Sequence, residues 1–271
     1  MDNDDLWVVR LQRAMEAVRE WEKRIGQHEE VAPRSSLDTD DRELPRHPVQ
    51  SAAWYGLVTA VDHLALGADL ADKGLTLRPS SIFTVTRAAL LGASQAVWVL
   101  SGGREDRRGR ALSIESDERK QHRGFIKDYA NDPFIREHKG PEFVAALDAL
   151  VQRLTDDIQG LRALRKGRPY DGDFVSTMMM REAATYLADT ENGDDWLRLA
   201  LAYEWRLASA AAHARSWPFH VRRTERTPLA NGGELRQLTS SLAEVVQSYG
   251  AAVLMTSEAW RLWDLRRHRH V

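Results

Sequence analysis

Strand-type alternation is nearly absent from this chain, and that constrains its fold more than any other feature. From Ser51 onward, apolar residues recur at helical spacing in long stretches, each ended by Gly, Pro or acidic residues. The pattern predicts helices over residues 51–73, 79–100, 104–129, 141–166, 174–187, 197–217 and 235–265. An earlier amphipathic helix over 6–25 carries Leu6, Val9, Leu11, Met15, Val18, Trp21 and Ile25 on one stripe. The expected fold class is therefore all-α, a multi-helix bundle of seven or eight helices. Local punctuation agrees: Lys73-Gly74 reads as a C-terminal cap, Pro79 and Pro141 as first-turn prolines, and Asn131-Asp132-Pro133 and Gly167-Arg168-Pro169 as breaks.

Residues 27–49 lose this periodicity and carry Pro33, Pro45 and Pro48 among polar residues. The domain reading is an N-terminal amphipathic helix at 1–28, a Pro-containing linker at 29–49 and a helical bundle domain at 50–271. The chain has 271 residues and no Cys, which excludes disulfides, thiolate metal sites and cysteine nucleophiles. An acidic start, MDNDDLW, and the lack of an 18-residue apolar run lead to the expectation of a cytoplasmic protein with no membrane partner. No cofactor is expected, since neither a phosphate-binding glycine loop nor a metal-ligand spacing is present.

The net charge of −2 hides an uneven distribution. Residues 171–197 hold seven acids and one Arg, whereas 198–226 hold six Arg and two Glu. A helix in that positive segment, LRLALAYEWRLASAAAHARSW at 197–217, carries the candidate site. Arg206 and His213 are seven residues apart and so share a helix face, with Ser209 between them at i+3 from the Arg. A guanidinium that grips phosphate, an imidazole that exchanges protons and a hydroxyl that can orient it form a combination suited to metal-independent RNA cleavage. A bland reading stays open beside it. His213 would be satisfied by Ser209 or a carbonyl, with Arg206 paired to an acid such as Glu182 or Glu204.

The stretch R-L-A-S-A-A-A-H, from Arg206 to His213, resembles the Arg-x4-6-His signature of the HEPN superfamily. A second patch from Arg87, RAALLGASQAVWVLSGGREDRRGR, is similar to a helix pattern in other helical proteins whose late helix ends Ser-x3-His. Leu207 follows the Arg, where active HEPN ribonucleases often have a polar residue. The resemblance implies a helical bundle that pairs as a homodimer, with two motif copies facing one RNA-cleaving site. It also implies a role in defence or as a toxin, with Arg206, Ser209 and His213 catalytic and a cognate regulatory protein as a possible partner. The alternative is a non-catalytic binding or regulatory protein on the same scaffold.

Three further expectations concern surfaces. Arg104, Arg107, Arg108 and Arg110 read as a solvated helical face, the Arg266–His270 tail as a disordered polar end, and Met178–Met180 as core filler. Trp205, Trp217, Trp260 and Trp263 are candidates for a core, a pocket or a dimer seam.

Overall fold

The computed structural model describes residues 3–27, 29–73, 78–221, 226–231, 234–236 and 240–269. It is 80% helical, so the all-α expectation holds. The elements in order are α1 (Asn3–Ile25), α2 (Ser36–Glu43), α3 (Val49–Asp72), α4 (Pro79–Leu100), α5 (Arg104–Asn131), α6 (Pro133–His138) and α7 (Pro141–Arg165). There follow α8 (Ser176–Thr190), α9 (Asp195–Ala212), the four-residue α10 (Pro218–Val221), strands β1 (Arg226–Pro228) and β2 (Glu234–Arg236), and α11 (Leu242–Arg267).

The centre of the bundle is α4, which packs against α3, α8, α9 and α11. Its segment Ser80–Leu100 is long and apolar enough to cross a membrane, and 67% of it is buried within the fold. The α3–α4 crossing is set by two glycines facing each other. A Cβ on Gly56 would lie 2.6 Å from the carbonyl oxygen of Gly92, and one on Gly92 would lie 2.6 Å from that of Gly56. The two backbones touch there, which only glycine at both positions permits.

Several expectations are corrected. The stretch 29–49 contains α2, and Leu37, Leu44 and Val49 are buried in the same core as α1 and α3. Its sequence, SLDTDDRE, has no apolar stripe, and long-range charge holds it in place. The Asp40 carboxylate is fully buried and receives hydrogen bonds from Arg107 (2.8 Å) and Arg108 (3.0 Å) of α5, while Arg108 also reaches Glu43 and Glu105. Arg107, Arg108 and Arg110 are thus interior groups and not a solvated face; of that set only Arg104 is exposed.

The polar tail is corrected too, because Arg266 and Arg267 belong to α11. Arg267 binds Asp264 and Glu29, and Arg266 donates to the Leu100 carbonyl. The final helix starts at Leu242 and not near 235, opened by a capping box in which Ser241 and Glu244 satisfy each other's backbone N–H groups. Before it, β1 and β2 form a short antiparallel ribbon pairing Thr227 with Leu235. The helix α6 lies between two expected helices, with Asp132 ending α5 and capping α6 through Ile135 N–H. Gly74, read as a cap, lies outside the described residues.

The N-terminal helix docks on its own chain, against α3 and α11. Val18 is fully buried, Arg19 bridges Asp69 and Asp72, and Arg24 binds Glu29 and Asp264 while stacking 3.9 Å above the Trp260 ring. Trp205, Trp260 and Trp263 are core residues, as are Met179 and Met180. Trp54 packs edge-on to Trp260 at 5.9 Å.

Candidate functional site

The helix α9 begins where Asp194 accepts hydrogen bonds from the N–H groups of Trp196 (2.9 Å) and Leu197 (3.2 Å), satisfying two of the donors a helix start leaves open. One face, with Leu201, Trp205, Leu207, Ala208 and Ala210, is buried. The helix stops at Ala212, five residues short of the expected end. His213 is its cap and Ala214 takes φ of +53°. The Ala214 N–H donates to Ala211 O and the Arg215 N–H to Ala210 O, a Schellman turn built on alanine where glycine is usual.

This turn folds Arg215 and Trp217 back beside the polar stripe. Arg206, Ser209 and His213 line one open groove of about 420 Å³, together with Trp205, Ala210, Arg215, Trp217 and, from α8, Thr177. Arg206 and His213 are exposed and Ser209 is half-buried. Among the described residues the lining holds two guanidiniums and an imidazole but no carboxylate. Trp217, 43% exposed, presents a ring at its edge. Behind the Trp205 wall, the Arg87 guanidinium stacks 4.8 Å from the ring, and burial pushes its pKa below the usual arginine value.

The acids weighed as partners for Arg206 are placed differently. Glu182 belongs to a separate network: it accepts from Trp98 Nε1 (2.7 Å), Tyr170 Oη (3.2 Å) and Arg110 (3.4 Å). Glu204 is a buried residue of α9 that lines the neighbouring cavities and not this groove. On the buried side of the helix, Ala208 packs into a small core with Ile82, Phe83 and Val245.

Beside this groove lies a larger apolar one of about 990 Å³ between α9, α11 and α1, and Arg206 borders both. Its walls include Trp196 (81% exposed), Leu199, Tyr203 and Leu254. Thr177 and Arg215 were not expected as groove residues, whereas Trp217 was a pocket candidate. Arg215 and Trp217 follow the motif directly in sequence, and the turn at Ala214 brings both round to the groove. Compared with protein-family models, with curated proteins and with solved structures, the chain gives no match.

Proposed function

We propose that the groove at the end of α9 binds single-stranded RNA and cleaves it without metal, on a scaffold of HEPN type. The observation that carries the reading is the shared lining: Arg206, Ser209 and His213 open into one cleft with Arg215 and the exposed Trp217, and among the described residues no carboxylate lines it. Two planar guanidiniums can each donate a pair of hydrogen bonds to phosphate oxygens. An exposed indole offers a stacking platform for an unpaired base.

In the proposed reaction His213 removes the 2′-hydroxyl proton, and the resulting oxygen attacks the adjacent phosphorus. Arg206 stabilises the charge that develops on the phosphoryl oxygens. The 5′-oxygen of the next nucleotide departs and takes up a proton, leaving a 2′,3′-cyclic phosphate and a 5′-hydroxyl. Ser209 orients the imidazole. A homodimer would bring two grooves together, and the exposed Trp196, Leu199 and Tyr203 supply an apolar surface suited to that pairing. A toxin or defence role, a cognate regulatory protein and a cytoplasmic location belong to the same proposal.

The test compares purified wild-type chain with His213→Ala and Arg206→Ala on labelled RNA. Each substitution is expected to lower the cleavage rate by about a hundredfold or more with little change in melting temperature, because both side chains are solvent-facing. RNA binding without cleavage by the wild type would instead favour the non-catalytic reading of the same groove.

A further inference from the structure

A second cavity, of about 450 Å³, lies on another part of the bundle, where the α2–α3 connection meets α3 and α5. Its size suits a small organic ligand. Ala52 and Ile114 contribute to an apolar floor, while His47, Glu115 and Glu118 supply its polar side and Tyr55, 64% exposed, stands among its walls. Among the described residues no Lys or Arg lines it.

The imidazole is the informative group. Its Nδ1 is buried without a hydrogen-bond partner, in a ring whose side chain is only 19% exposed. Buried polar atoms are nearly always paired, so this one marks a place where a hydrogen-bond partner is missing. The nearest carboxylate oxygen, Oε1 of Glu115, is 3.9 Å away, too far for a direct hydrogen bond. That spacing is one a single donor atom can bridge with two bonds of about 2.8 Å. Glu115 is held in place from outside the cavity by Arg119, through contacts of 2.7 and 2.9 Å to the same oxygen. Glu118 makes no ion pair among the described residues and leaves its negative charge for an occupant.

We infer that this cavity binds a small organic cation, an amine with an apolar body. The ammonium would sit between His47 Nδ1, Glu115 and Glu118, its carbon skeleton would rest on Ala52 and Ile114, and the Tyr55 ring offers a cation–π face. An anion is disfavoured by the two carboxylates, and a neutral molecule would gain no attraction from the Glu118 charge.

Calorimetric titration of the full chain with benzylamine, benzyl alcohol and benzoate at low salt tests this. Benzylamine is expected to bind saturably with a Kd of about 1 mM or tighter. Benzyl alcohol and benzoate should bind at least tenfold more weakly. Glu118→Gln, at the exposed end of the cavity, should weaken benzylamine at least tenfold with an unchanged melting temperature, and Glu115→Gln serves as a second variant. Absence of saturable benzylamine binding, equal binding of benzyl alcohol, or full affinity in both variants would overturn the assignment.

Discussion

Asp40 shows how a single side chain can decide the position of an element. Its carboxylate is fully buried between Arg107 and Arg108, and removing it would leave two interior cations facing each other. Asp40→Ala is therefore expected to cost about 3–5 kcal/mol, measured by urea unfolding. The neighbouring Asp41 behaves oppositely. Burial pushes its carboxyl up to about 6, although the N–H groups of Gln50 and Val49 favour the ionised form. A raised acid pKa means the folded state holds a proton that the unfolded state releases first. Its contribution is most favourable below about pH 4 and is lost as pH rises through about 6. Asp41→Asn should flatten that part of the stability–pH curve and raise the melting temperature at pH 7. At the candidate site, Ala214 sits at a positive φ that glycine adopts freely, so Ala214→Gly should stabilise the chain by up to about 1 kcal/mol. None of the buried arginines was legible as such: Arg107 and Arg108 meet an acid 67 and 68 positions away, and a linear pattern of charges carries no sign of that.

Among the elements, those that bury an apolar stripe were legible and those held by other forces were not. The ends of α4 and α7 follow from Pro79 and Pro141, and the docking of α1 from its Val18 and Trp21 stripe. The short α2 has no such stripe, because its hold on α5 is ionic, and α6 is only six residues long. At the α3–α4 crossing, Gly92→Ala sets helix propensity against contact. The gain of about 1 kcal/mol from replacing a mid-helix glycine competes with a Cβ driven into the Gly56 carbonyl, a rigid backbone atom. Overpacking should win and give a net loss of about 1–2 kcal/mol by denaturant unfolding. Deleting residues 1–28 should lower the melting temperature or solubility, because it uncovers the α3 and α11 surface that Val18, Arg19 and Arg24 occupy; an unchanged melting temperature would contradict that packing.

For the whole molecule, the all-α class was readable from periodicity alone, and so was the shared face of Arg206, Ser209 and His213. Their exposure was not readable: whether a stripe on an apolar helix faces solvent depends on which neighbours cover it, and α4, α8 and α11 cover the other side. The groove also owes Arg215 and Trp217 to a turn that alanine does not advertise. The most direct measurement of the central claim is the chemistry of the RNA ends made by the purified wild-type chain in EDTA. Metal-independent attack by the 2′-hydroxyl predicts fragments ending in 2′,3′-cyclic phosphate with 5′-hydroxyl partners, and their loss in His213→Ala. Intact RNA, fragments carrying 5′-phosphates, or cleavage that persists in His213→Ala would contradict it.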